Sequence, residues 1–124
     1  MNLTVANGVA NLAGLVSASS VSGIAGTITV AANDVSSSGS FLANGTTGGS
    51  IYVTSTSGNT SLSGTYSANG SSGKGGNFNA QSAQDLILVG TIAANGTDGG
   101  VIYLAANGGS ITPVSYTHLT LPTN

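Results

Sequence analysis

The chain has 124 residues, a formal net charge of −2 and no cysteine, and only 3% of its residues are charged, with Lys74 as the one cation. Ordinary globular domains carry about 25% charged residues, and disordered chains combine high charge with low hydrophobicity, whereas 40% of this chain is hydrophobic. These values argue against disorder, a nucleic-acid-binding surface, a disulfide framework and a thiolate metal site. No apolar run approaches the roughly 20 residues that span a bilayer, so no transmembrane segment is predicted.

A repeat of about 25 residues dominates the sequence. A faint copy spans 14–26, and clearer copies span 39–49, 64–76 and 90–100. Each copy begins with a leading glycine, and these glycines, separated by 25, 25 and 26 residues, are Gly14, Gly39, Gly64 and Gly90. A fixed period of this length is typical of solenoids, in which each repeat packs on its neighbours.

The first strand of each repeat follows the leading glycine. Alternate residues of a strand face the same side of a sheet. Two positions after the glycine, this spacing gives an inward column of large residues, which are Val16, Phe41, Tyr66 and Ile92, and an Ala follows two residues later in every copy. We expect both columns to fill a narrow core.

A turn with the sequence Asn-Gly ends this strand in the three clearest copies. The pairs are Asn44-Gly45, Asn69-Gly70 and Asn95-Gly96. We expect the Asn side chains to stack as a ladder along the solenoid axis and the three glycines to adopt positive φ at the bend. Asn-Gly between alternating runs also signals a hairpin, but the same phase in every repeat favours coiling.

Two further strands complete each repeat. The second strand carries an inward column of Ile28, Ile51, Phe78 and Ile102. The third is weaker, because Ser37 and Thr60 fit poorly among its inward positions. The sequence therefore predicts an all-β parallel β-helix (β-solenoid) of about four rungs, where a rung is one turn of about 25 residues with three short strands.

The last eleven residues, 114–124, differ in composition from the repeats. They read VSYTHLTLPTN, lack glycine and hold the single histidine, His118. The string resembles the translation of a transposon-type sequencing adapter, such as is read through where an assembled metagenomic fragment ends. We therefore expect 114–124 to be a non-native tail and 1–113 to be an uncapped fragment of a longer solenoid, whose open ends self-associate.

Catalytic chemistry is not predicted from the polar residues. The three acids, Asp34, Asp85 and Asp98, occupy turns and have no neighbouring Arg or His, and no serine has an evident base to activate it. We therefore expect no enzyme activity, no cofactor and no metal site. The outward pairs of the second strand form no Thr array of the kind an ice-binding solenoid needs; they are Thr27/Thr29, Ser50/Tyr52, Asn77/Asn79 and Val101/Tyr103.

The stretch 90–106, GTIAANGTDGGVIYLAA, resembles the repeats of filamentous haemagglutinin-like adhesins of two-partner secretion systems. The resemblance covers most of 14–113 and implies a right-handed parallel β-helix. The repeat length separately disfavours a left-handed β-helix, because left-handed rungs are built from hexapeptides and 25 is not a multiple of six. The resemblance implies a shaft segment of a large adhesin, secreted or on the outer cell surface. The partners that it implies are host or neighbouring-cell surfaces, including their glycans. The alternatives are an autotransporter passenger segment whose activity lies elsewhere and a small stand-alone glycan- or surface-binding solenoid.

Overall fold

The computed structural model describes residues 2–5 and 7–113. This part of the chain is all-β, contains no helix, and coils into a β-solenoid of about four rungs. The strands in chain order are β1 (Asn2–Thr4), β2 (Val9–Leu12), β3 (Leu15–Ser17), β4 (Thr27–Ala32), β5 (Asp34–Ser37), β6 (Ser40–Leu42), β7 (Ser50–Ser55), β8 (Thr60–Leu62), β9 (Thr65–Ser67), β10 (Asn77–Ser82), β11 (Leu86–Leu88), β12 (Thr91–Ala93), β13 (Val101–Ala106) and β14 (Ile111–Pro113).

Three parallel sheets run along the stack, one for each strand of the repeat. Sheet I has the order β1-β4-β7-β10-β13, sheet II the order β14-β11-β8-β5-β2, and sheet III the order β12-β9-β6-β3. Each strand pairs with its equivalent in the next rung, so that Phe41 lies opposite Tyr66 and Ile51 opposite Phe78. The predicted parallel solenoid is therefore confirmed, whereas its right-handed sense stays a prediction.

The core is a narrow column of apolar side chains between the three sheets. Alternation along each strand turns every second residue inward, where burial removes apolar surface from water. The residues that the repeat placed inward lie there: Phe41, Tyr66, Ile92, Ile28, Ile51, Phe78 and Ile102 are buried. Val16, in the rung nearest the N-terminus, is half-buried and packs against the same cluster.

Two polar residues stand inside this apolar column. Ser37 and Thr60 are 1% and 0% exposed, and neither hydroxyl has a hydrogen-bond partner among the described residues. Their neighbours in register keep them there, because Thr60 pairs with Val35 in the rung below and with Leu86 above. A shift by one residue would turn those apolar neighbours outward, so stacking overrides the local mismatch.

Rungs approach closely at their glycines. A Cβ atom added to Gly39, Gly64 or Gly90 would lie closer than 3.0 Å to the carbonyl oxygen of the leading glycine one rung below. Such separations are essentially absent from real structures, so the leading position requires glycine for space. Gly14, the first of the column, has no atom within 4 Å of its added Cβ.

Candidate functional site

The Asn-Gly corner holds a ladder of hydrogen bonds between rungs, which we name the Asn44 ladder (Asn44, Asn69, Asn95). The backbone N–H of Asn69 donates to Oδ1 of Asn44 at 2.8 Å, and that of Asn95 donates to Oδ1 of Asn69 at 2.8 Å. Ser19 begins the series, because its Oγ accepts from the backbone N–H of Asn44 at 3.1 Å. Each side chain thus satisfies a backbone donor of the next rung.

Ser67 joins two amides of the Asn44 ladder. Its hydroxyl donates to Oδ1 of Asn44 at 2.8 Å and accepts from Nδ2 of Asn69 at 2.9 Å. These bonds fix the side-chain orientation of Asn69, whose amide nitrogen donates sideways while its oxygen accepts from the rung above. The corner is therefore a structural network whose polar groups are engaged by the protein.

The glycines of the Asn-Gly pairs do not adopt the expected positive φ. Among the described glycines only Gly8 has one, at 150°. At Gly45, Gly70 and Gly96 the constraint is space, since an added Cβ on each would lie closer than 3.0 Å to backbone atoms across the corner. The predicted backbone conformation was wrong, and close packing accounts for these glycines.

A second ladder, which the sequence reading missed, stacks at the start of sheet II. We name it the Asp34 ladder (Asp34, Asn59, Asp85). Oδ1 of Asp34 accepts from Asn59 N–H at 2.8 Å, Oδ1 of Asn59 accepts from Asp85 N–H at 3.0 Å, and Oδ1 of Asp85 accepts from Ser110 N–H at 2.9 Å. The signal was available, because Asp or Asn recurs at 34, 59 and 85 with the period of the glycines.

The Asp34 ladder gives both of its carboxylates a structural partner. Asp34 and Asp85 stand two rungs apart, about 10 Å at the usual strand spacing, with the Asn59 amide between them. The described residues contain no group of three or more His, Cys, Asp or Glu that could hold a metal ion. The arrangement supplies hydrogen-bond acceptors to backbone donors and joins rung to rung.

Tyr66 lies at the centre of an aromatic stack inside the solenoid. Its ring centroid lies 5.3 Å from that of Phe41, in an edge-to-face geometry, and 5.6 Å from that of Phe78. The phenol donates to the Ser37 carbonyl at 3.2 Å and accepts from Gly64 N–H at 3.3 Å. Burial raises the pKa of the Tyr66 phenol, while its hydrogen bonds with Ser37 and Gly64 oppose that rise. The ring contacts and the two hydrogen bonds therefore hold Tyr66 in the core and stabilise its packing.

The outer face of sheet I carries a shallow groove, which we name the tyrosine groove (Tyr52, Asn77, Phe78, Asn79, Val101, Tyr103). Its volume is about 350 Å³. Tyr52, Asn79 and Tyr103 occupy one outward register position on β7, β10 and β13. The groove therefore places an amide between two phenol rings from the neighbouring rungs.

Asp98, the third acid of the chain, lies outside both ladders and the tyrosine groove. Asp98 is exposed in the last Asn-Gly turn, and its carbonyl accepts from Gly75 N–H at 2.9 Å. Within 2–5 and 7–113, no helix is long and apolar enough to cross a membrane.

Comparisons with protein-family models, with curated proteins and with solved structures found no match to this chain.

Proposed function

We propose that the chain is a structural shaft segment of a large secreted or surface-exposed bacterial adhesin. A shaft holds binding regions away from the cell and needs a repeated unit that stacks on itself without a fixed length. The observation that carries the proposal is the equivalence of the rungs: each strand pairs in parallel with its counterpart, and the same corner ladders recur.

The two corner ladders and the glycine columns support this role because they join neighbouring rungs rather than build a pocket. Oδ1 of Asn69 bonds to the next rung just as Oδ1 of Asn44 does. In a solenoid, stability is approximately the sum of the rungs and their interfaces. A rung can therefore be added or removed without altering the others, which suits a spacer.

The test is an adapter-free, long-read sequence across the source locus. A single frame with further repeats of about 25 residues and an upstream secretion signal is the expected result. A frame that ends near Pro113 without further repeats would overturn the shaft and favour a stand-alone solenoid. A translocating domain encoded downstream in the same chain would instead favour the autotransporter passenger.

Removal of one rung tests the spacer role on the protein itself. Deletion of 64–89 joins Ser63 to Gly90, which takes the register position of Gly64 because Thr91 pairs with Thr65. We expect the shortened chain to keep its parallel β signal in circular dichroism. Deletion of 77–89 is the matched control. It removes β10 and β11, about half a rung, so that β12 of sheet III follows in the chain where a strand of sheet I is needed. Equal loss of structure in both variants would contradict independent rungs.

Self-association through the solenoid edges is part of the proposal. At one edge, β1, β2 and β3 each pair on one side alone, and Val9 and Leu15 are 58% and 67% exposed. Unpaired strand edges with apolar side chains favour pairing with another chain. Sedimentation velocity should show assemblies that grow with concentration and shrink in a V9K/L15K variant, and a monomer at all concentrations would refute this.

A further inference from the structure

The outward side chains of the tyrosine groove, those of Tyr52, Asn79 and Tyr103, belong to neither the core nor the ladders. Tyr52 and Tyr103 are 37% and 50% exposed. Their rings are not required at this register position, because β4 carries the small polar residue Thr29 there. Two rungs separate the rings, about 10 Å at the usual strand spacing. The groove thus offers two aromatic faces at a fixed separation.

Its polar groups are available to a ligand. The side-chain amides of Asn77 and Asn79 form no hydrogen bond within the part of the chain that the structure describes. This contrasts with Asn44 and Asn69, whose amide oxygens accept from the next rung. An Asn amide presents two donors and a carbonyl acceptor, so the groove floor can both give and accept hydrogen bonds.

Charge and size narrow the class of ligand. The lining of the groove contains no Asp, Glu, Lys, Arg or His. A volume of about 350 Å³ lies at the small end of small-molecule sites, which span about 300–1,000 Å³. The groove therefore suits a small neutral ligand better than an anionic chain.

We propose that the tyrosine groove binds a neutral oligosaccharide, and this inference rests on the proposed role of the chain in an adhesin. The C–H face of a sugar ring is apolar and matches an exposed phenol ring, while the ring hydroxyls match the donors and acceptors of an amide. One sugar packs on Tyr52, another on Tyr103, and the hydroxyls between them bond to Asn77 and Asn79. Aromatic residues with a polar tip suit such half-wet contacts.

The experiment uses the full chain and two soluble probes, the β-1,4-linked tetramers of glucose and of N-acetylglucosamine. Binding is followed by chemical-shift changes of backbone amides during titration into the millimolar range. We expect at least one tetramer to shift the amide signals of β7, β10 and β13. The double variant Y52A/Y103A should weaken that binding about tenfold or more, because both stacking faces are lost.

Matched variants separate stacking from folding. Y52F/Y103F keeps both rings and should retain most of the affinity, and N79A should weaken binding with the rings intact. Ile87 on sheet II is 37% exposed, as Tyr52 is, so Ile87→Ala serves as the control for loss of an exposed apolar side chain and should leave binding unchanged. Circular dichroism and thermal midpoints of all variants should stay close to those of the parent chain, since every substituted side chain points outward.

The inference would be overturned by the absence of shifts with both tetramers, by equal binding of the Y52A/Y103A variant, or by tighter binding of a sulfated tetramer than of either neutral one. A dimer that Y52A/Y103A abolishes would assign the groove to a second copy and also overturn it. None of these results tests the shaft proposal, which is tested by sequencing the source locus. If the chain binds a tetramer but its locus encodes no further repeats, the groove proposal stands and the shaft proposal fails.

Discussion

Replacement of one leading glycine by alanine is expected to disrupt the stack at a defined place. In Gly64→Ala the new Cβ would collide with the carbonyl oxygen of Gly39, one rung below. That oxygen accepts the backbone N–H of Thr65 at 3.3 Å. The collision therefore falls on a carbonyl that also joins the two rungs, and the rungs must separate there.

The cost follows from the groups that lose their partners. Overpacking a close-packed site costs about 1–3 kcal/mol. The Gly39 residue is buried, so its carbonyl costs about 1–3 kcal/mol more when it loses the Thr65 donor, whereas Thr65 is exposed and its N–H can turn to water. We expect Gly64→Ala to lower the free energy of unfolding by at least about 2 kcal/mol, a substantial part of the roughly 5–15 kcal/mol of an ordinary domain.

Gly14→Ala is the matched control, because Gly14 leads the same column and has no atom within 4 Å of its added Cβ. That variant should be neutral or more stable by up to about 1 kcal/mol, since alanine restricts the unfolded chain. Urea unfolding followed by circular dichroism compares the two. Equal midpoints for Gly64→Ala and Gly14→Ala would refute the steric account of the glycine column.

Three further substitutions test the core and the Asp34 ladder. Thr60→Val should raise the free energy of unfolding by about 1 kcal/mol, because it removes a buried hydroxyl without a partner; a lower urea midpoint would contradict this. Ile51→Asp should unfold the chain by burying a charge, whereas Tyr52→Asp, one residue away on the outer face, should remain folded by circular dichroism. Asn59→Asp places a third carboxylate between the two acids of the Asp34 ladder and should destabilise the chain at pH 7 by about 1 kcal/mol for each neighbour, while the neutral Asn59→Ser should not. The like charges raise the pKa of the new carboxyl, so its penalty should be present above that pKa and disappear as the pH falls through it; thermal midpoints at pH 3 and pH 7 decide this.

The stacked architecture was predictable because repetition multiplies a weak local signal. A single strand such as Thr65–Ser67 has three residues, too few for its pattern to be distinctive. Four copies in the same phase identify the inward column, and parallel stacking then follows from pairing each strand with its equivalent. Even the misfits were placed correctly by register, since Ser37 and Thr60 lie inside the core despite their hydroxyls.

The details that sequence reasoning missed depend on the distance between rungs. A glycine at position 45 is compatible with a turn of positive φ and also with a close approach of two backbones, and residue identity alone does not distinguish them. The structure shows the close approach. The Asp34 ladder escaped notice because Asp and Asn are different letters that offer the same side-chain oxygen to a backbone donor. The tyrosine groove arises from three rungs whose outward residues differ, so no repeat column marks it.

In-register stacking also explains why the chain has almost no charge. A residue type that recurs in a column stands about 4.8 Å from its copies, and two like charges at that distance repel by about 1 kcal/mol even in water. A charged column would therefore add this penalty at every rung, whereas a column of Asn adds a hydrogen bond. The Asp34 ladder meets the same condition, because Asn59 separates its acids, and Asp98 stands where the other Asn-Gly turns carry Thr47 and Ser72. Neutral polar residues are thus the ones that repetition favours, and a solenoid built this way presents hydroxyls and amides at its surface instead of charges.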